Sequence, residues 1–318
     1  MEKILLGRTN LSVSRAGLGG GGHSRLGKGY GSSFQSSVDV VRAGLDAGLN
    51  FLDTATVYGT EEIVGEAIKD RRDQVVLSTK GPVVRSGSSA LGDDFQPEKD
   101  FIANVENSLR NLKTDHIDVY HLHGVMPDQY DACVDRYLPI LKNLQTAGKI
   151  RYIGITERFI FDPSHEMLTQ ALADDIWDVV MVGFNLINPS ARQTILPLTS
   201  KNNVGVLNMF AVRNVLGNPD HLTSFVEKLI AEGQTKIDRS DLDDLVQDLL
   251  AATSSGMLTE AAYRFCAHEP DNQVILTGTG KIAHLHENIA AIGEAELPSD
   301  LRQRLEAAFG HINSVSGD

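Results

Sequence analysis

Three apolar runs in this chain each end on side chains able to move a proton. Asn50-Phe51-Leu52-Asp53-Thr54-Ala55-Thr56-Val57-Tyr58-Gly59 leads an apolar pair into a carboxylate and then releases a phenol onto a glycine. This is the pattern of a buried strand that delivers ionisable groups to its C-terminal end. Val75-Val76-Leu77-Ser78-Thr79-Lys80 ends on an amine, and Ile117-Asp118-Val119-Tyr120-His121-Leu122-His123 ends on an imidazole. A tyrosine alone is a weak catalyst, but a cation beside it lowers its pKa and a carboxylate holds that cation in place. The plain alternative is a buried ion pair next to an unrelated tyrosine.

These runs resemble the aldo-keto reductases, whose signature reads Asn-Phe-x-Asp-Thr-Ala-x-x-Tyr-Gly, followed by a strand ending Thr-Lys and by Asp-x-x-x-x-His. The resemblance spans nearly the whole chain, and its first motif is the specific one. Carried over position by position, it implies a tetrad of Asp53, Tyr58, Lys80 and His123. Tyr58 would donate a proton to a carbonyl oxygen as hydride reaches the carbon, with its pKa lowered by Lys80; Asp53 would fix Lys80, and His123 would orient the oxygen. The implied activity is hydride transfer between a nicotinamide dinucleotide and a small carbonyl or alcohol (an aldehyde, ketone or sugar), in either direction.

The dinucleotide is expected at Leu276-Thr277-Gly278-Thr279-Gly280-Lys281-Ile282-Ala283-His284-Leu285-His286-Glu287-Asn288. A glycine-rich turn that opens a helix after the last strand offers backbone N–H groups to a phosphate. The resemblance places Thr279 and His284 at the adenosine 2'-phosphate, and Glu287 and Asn288 at adenine, beside Gly278 and the second charge of Lys281. Family members that strongly prefer NADP usually carry arginine where His284 stands. NADP is therefore expected, with NAD usable. Without the resemblance this is an ordinary helix start with Thr279 as its cap. Gly20 and Gly21 let a ligand approach the backbone, or form a flexible loop. Thr156-Glu157 replaces the family's Ser-Asn but keeps a hydroxyl for the nicotinamide amide, and Met181 replaces a glutamine. Phe184 matches the aromatic that stacks on nicotinamide, or is a core residue. Arg213 is a candidate for the pyrophosphate, or an exposed loop arginine.

Two rival classes remain. His121 shares its strand face with His123, and His-x-His at a barrel strand end also occurs in metal-dependent hydrolases. That chemistry needs further ligands, and Lys80 opposes a dication, so no metal is expected and His121 fills space. The other rival is a sensor or binding subunit that holds the cofactor without useful turnover.

Positioning such a tetrad requires several strand ends at one rim. Helical and strand periodicities alternate from Ala16 to Ile292, with eight strands and eight helices and no break in composition, and this predicts a (β/α)8 TIM barrel as one domain over residues 1–318. A doubly wound sheet would alternate likewise, but its site would centre on a Gly-x-Gly-x-x-Gly turn after the first strand, which is absent. Residues 3–14 read as a hairpin ahead of the barrel. Segments 83–94 and 214–255 are long loops that shape the pocket. Pro163 to Ala173 and Pro189 to Ser200 read as helices, and the segment after Phe309 as mobile. The formal charge of -13 argues against nucleic-acid or anionic-membrane partners. Cys133 and Cys266 read as reduced structural thiols, and the start lacks the marks of a signal peptide, so a cytoplasmic location is expected.

Overall fold

The computed structural model covers residues 1–318. A hairpin, β1 (Lys3–Leu5) with β2 (Ser12–Ser14), precedes eight parallel strands. These are β3 (Ala16–Gly19), β4 (Phe51–Asp53), β5 (Val76–Pro82), β6 (Ile117–Val125), β7 (Ile150–Glu157), β8 (Val179–Gly183), β9 (Gly205–Met209) and β10 (Val274–Thr277). They close in sequence order, with β10 pairing back onto β3. Helices α1 (Phe34–Asp46), α2 (Glu61–Ile68), α3 (Glu98–Asn111), α4 (Tyr130–Thr146), α5 (Glu166–Ala173), the pair α6 (Ala191–Thr194) and α7 (Leu196–Asn202), then α8 (Pro219–Ala231), α9 (Arg239–Ala251), α10 (Leu258–Ala267), α11 (Ile282–Gly293) and α12 (Ser299–Phe309) surround them. The expected (β/α)8 architecture and the hairpin are both present.

The two-residue period of the strands sorts their side chains into two cores. Phe51, Val76, Val119, Val179, Met181, Leu207 and Val274 point into the barrel and pack with Leu6, Leu11 and Val13 of the hairpin. Tyr120, Leu122, Val180, Val182 and Phe184 point outward to the helices. Continued towards the C-terminal rim, the inward parity of β4, β5 and β6 selects Asp53, Lys80 and His123. The hairpin closes the opposite end. Leu6 is fully buried, and a Cβ on Gly205 would come within 2.8 Å of its Cγ. Helix faces follow the usual stripe: α3 buries Phe101, Val105, Ser108 and Leu109.

Several expectations need correction. The helix expected from Pro163 begins at Glu166, because His165 takes a left-handed φ of 65° and the Asp162 carboxylate accepts the N–H groups of Glu166 and Met167, each at 2.9 Å. The helix expected over residues 189–200 is split in two, since Pro197 has no N–H to continue it. The segment after Phe309 is docked on the C-terminal face. Asn185 and Asn188 side chains donate to the carbonyls of Ser316 and Val315 at 3.1 and 2.8 Å, and Ile312 is buried. Both cysteines are free thiols, buried in α4 and α10. No helix is long and apolar enough to cross a membrane.

Candidate active site

Asp53, Lys80 and His123 stand at the ends of β4, β5 and β6, and Tyr58 follows β4 on a short 3-10 turn, Thr56–Tyr58. Lys80 Nζ donates to Asp53 Oδ2 at 2.5 Å and to the Thr54 carbonyl at 2.7 Å, and both side chains of the pair are buried. The same ammonium lies 5.2 Å from the centre of the Tyr58 ring. The Tyr58 hydroxyl is 3.3 Å from His123 Nε2, with the two rings edge to face. Gly59 at φ 67° ends the turn, and Gly21 is where the Tyr58 ring passes, since a Cβ there would come within 2.7 Å of it. At Gly20 a Cβ would meet the Thr60 hydroxyl at 2.7 Å. Close packing against the Tyr58 turn thus explains both glycines; neither ligand approach nor flexibility is needed to account for them.

Burial decides the titration of these groups. It raises the Tyr58 pKa from 10.0 and outweighs the opposing pull of Lys80, with Asp53 adding a smaller upward push. Lys80 does lower the Tyr58 pKa as expected, but burial outweighs it and the net shift is upward, which corrects the expectation of a lowered value. Burial also pushes the Asp53 carboxyl up, against the pull of Lys80 and Ser78. His123 is held well below the usual histidine range by burial, then by Lys80 and Arg158.

His121 does more than fill space. Ser78 Oγ donates its proton to Asp53 Oδ1 at 2.8 Å and lies 3.1 Å from His121 Nε2, so the imidazole donates to the hydroxyl. His121 thus supports Asp53 through Ser78. Its Nδ1 is buried without a partner, against Gly154, where a Cβ would come within 2.2 Å. No three His, Cys, Asp or Glu side chains converge in a metal-ligating group.

A cavity of about 770 Å³ opens above the tetrad, lined by Tyr58, Lys80, His123, Thr156, Arg158, Met181, Met209 and Phe210 among others. The long loop after β5 contributes Arg85 to Ser88 to its wall. Arg158 and Phe210 escaped the sequence reading. Phe184, expected at the nicotinamide, faces the other way: it is fully buried outside the barrel and stacked on Phe265 at 5.6 Å. Parity could have shown this, since Met181 points inward and Phe184 lies an odd number of residues later. Arg213 is not an exposed loop arginine: it is paired with the Asp318 carboxylate and lies 4.2 Å over the Phe210 ring, with its Nε buried and without a hydrogen-bond partner. The Glu157 carboxylate does not replace the family's asparagine in the pocket. It accepts from His165 Nδ1 at 2.9 Å and from the Gly183 N–H at 2.7 Å. His165 Nε2 meets Ser190 Oγ at 3.0 Å, but Ser190 does not line the cavity, so this carboxylate–imidazole–hydroxyl chain ties loops together.

At the glycine-rich turn, Thr279 Oγ1 accepts the Lys281 N–H at 3.1 Å and Asn288 donates to the Thr277 hydroxyl at 2.7 Å. Lys281, His284 and Glu287 are exposed along the start of α11. Glu287 and Asn288 line a small cleft of about 170 Å³ with Ser254, Met257 and Thr259.

The sequence profile of the Aldo/keto reductase family matches residues 18–309. The chain belongs to this family. Among curated relatives, an uncharacterized oxidoreductase of Bacillus subtilis, YqkF, is 27% identical over 312 residues, covering 96% of each chain. L-galactose dehydrogenase of Arabidopsis thaliana is 26% identical, covering 93% of this chain and 89% of its own. Among solved structures, holo aldo-keto reductase AKR11C1 from Bacillus halodurans superposes with a TM-score of 0.74 at 26% identity over 100% of both chains. An aldo/keto reductase from Klebsiella pneumoniae, solved with NADP and acetate, shares the fold at a TM-score of 0.62 and 24% identity, covering 96% of this chain and 94% of that one.

For this aldo/keto reductase the two histidines should separate kinetically. His123→Ala is expected to lower kcat/KM for a carbonyl by about 10²-fold, and His121→Ala by less, through Asp53 and thermal stability. If the His121 variant were the more damaged in kcat/KM at equal fold, the inward register of β6 would be misassigned.

Proposed function

We propose that this chain reduces a carbonyl, or oxidises the corresponding alcohol, with NADP as hydride carrier and Tyr58 as proton donor or acceptor. The observation that carries the reading is Tyr58 with its hydroxyl 3.3 Å from His123, above the buried Lys80–Asp53 pair, at the floor of a large cavity. A carbonyl oxygen placed between phenol and imidazole would receive the Tyr58 proton and be oriented by His123. Lys80, held by Asp53, makes the negative charge left on the phenol less costly. The nicotinamide supplies hydride when bound.

The residues present fit a dinucleotide. A Cβ on Gly278 would stand in ordinary van der Waals contact with the Gly19 carbonyl at 3.5 Å, so this turn backbone is packed without being crowded. The first-turn N–H groups of α11 have no acceptor within the helix. Lys281 and His284 stand exposed beside them to take a 2'-phosphate, and Glu287 and Asn288 line a cleft for the base. Thr156 remains at the cavity, its Oγ1 accepting the Gly124 N–H at 2.7 Å and its own proton free for a ligand.

A carbonyl and alcohol panel read at the nicotinamide absorbance tests the proposal. Turnover with NADPH on at least one class is expected; dinucleotide binding without turnover on any would leave a sensor subunit instead. Arginine presents planar, permanently charged donors suited to a phosphate. His284→Arg should therefore raise the ratio of NADPH to NADH affinity. An unchanged ratio would remove position 284 from the 2'-phosphate.

A further inference from the structure

Three cations line the main cavity, and two of them are already paired. Lys80 is held by Asp53 at 2.5 Å, and Arg85 on the loop after β5 by Asp94 at 3.1 Å. Arg158, directly after β7, forms no ion pair. Its one side-chain hydrogen bond runs from Nε to the Gly124 carbonyl at 3.1 Å. Of the carboxylates on the cavity wall, Glu157 is turned away to His165, and Asp100 sits exposed at the rim. Arg158 is half-buried, and burial pushes its pKa down with no carboxylate opposing the shift.

The placement is built into the strand. Between Leu122 and Val125 the pairing of β6 with β7 slips, and Gly124 takes a φ of 64°. Such irregularities re-aim side chains next to active sites. A φ of 64° favours glycine at 124, and a Cβ there would come within 2.9 Å of Arg158 Nη2, so the guanidinium packs directly against this backbone. With Nε engaged, the edge formed by the two Nη groups remains. That edge matches the two oxygens of a carboxylate. It stands beside the groups that would hold the reacting oxygen: Arg158 acts electrostatically on both Tyr58 and His123.

We propose that Arg158 selects the substrate of this enzyme by binding the carboxylate of a carbonyl compound that carries one near its reacting carbon. The inference rests on the reductase reading above and names its substrate class as oxoacids or carboxylated aldehydes. Losing a charge-assisted pair should cost about 10²-fold.

The experiment compares carboxylates with their neutral carboxamides: glyoxylate, succinic semialdehyde and 3-formylbenzoate against the corresponding amides, in the wild type and in Arg158→Met and Arg158→Lys. At least one pair should show a carboxylate preference of about 10²-fold in kcat/KM, falling to none in the methionine variant. The lysine variant should recover part of it. Because Arg158 also acts on Tyr58, the deciding quantity is the ratio within each pair. No carboxylate preference in any pair, or a preference that survives Arg158→Met, would overturn the inference while leaving the reductase reading intact. So would a loss that appears in dinucleotide affinity instead. If no carbonyl is turned over, the reductase reading fails; calorimetric titration of 3-formylbenzoate into the NADP-saturated wild type and methionine variant then decides Arg158 alone, equal affinities overturning it.

Discussion

Tyr58→Phe is expected to lower kcat for carbonyl reduction by about 10²- to 10⁴-fold while leaving dinucleotide affinity nearly unchanged, because the phenol proton acts on the carbonyl oxygen. Ring packing is retained in the variant, so the loss isolates the proton. The wild type adds a pH signature. Reduction requires the protonated phenol, and burial raises the Tyr58 pKa above 10.0. Reductive kcat/KM should therefore stay level through neutral and mildly alkaline pH and fall only as pH rises through that raised value. The alkaline limb should be missing from the phenylalanine variant. Most of the activity surviving in Tyr58→Phe would dismiss Tyr58 as donor, whereas an alkaline fall beginning near pH 8 in the wild type would show that its pKa is not raised.

The second large effect is on stability. Lys80 and Asp53 are both buried and 2.5 Å apart, so Lys80→Met leaves a buried carboxylate with no counter-charge. Removing one partner of such a pair typically costs about 3–5 kcal/mol. The sign of its pH dependence follows from linkage. Asp53 is already raised from 3.8 by burial with Lys80 present, and without it the folded form binds its proton more tightly still. A group whose folded pKa exceeds its unfolded one stabilises below the unfolded value, and that contribution is lost as pH rises through the folded value. Lys80→Met should therefore melt closer to wild type in acid than at pH 7, and Asp53→Asn combined with Lys80→Met should regain much of the loss. Equal melting temperatures for the wild type and Lys80→Met at neutral pH would show that the pair contributes nothing.

Much of this was legible in the sequence because strands alternate faces and end on their functional groups. Asp53, Lys80 and His123 lie on inward parities of three consecutive strands, and the Asn50–Gly59 run carries the turn that holds Tyr58. The barrel followed from the alternation of periods together with a site spread over three strand ends, since a doubly wound sheet would share the alternation alone. Side chains whose roles depend on how one backbone meets another were harder to read. Arg158 is one more strand-end arginine until the slip at Gly124 places it in the cavity. Arg213 was read as free for a phosphate because its partner, Asp318, is more than 100 residues away in the chain. Tyr58 was expected to be acidified by Lys80 because composition along a strand carries no measure of desolvation, which outweighs the cation here. Phe184 lies on the outer face, which its odd separation from the inward Met181 implies by parity alone.

The contact between His121 and Gly154 bears on how this lineage can change. The imidazole occupies the place where a side chain on the neighbouring strand would stand, with Nδ1 only 2.2 Å from a Cβ at position 154. Neither position can drift by itself: alanine at 154 collides with the ring, and a smaller residue at 121 opens a void beside Ser78 and Asp53. Descendants that abandon the histidine should therefore acquire bulk at 154 in the same evolutionary step or close to it. The two sites would then appear in a family tree as one linked character, inherited or replaced together.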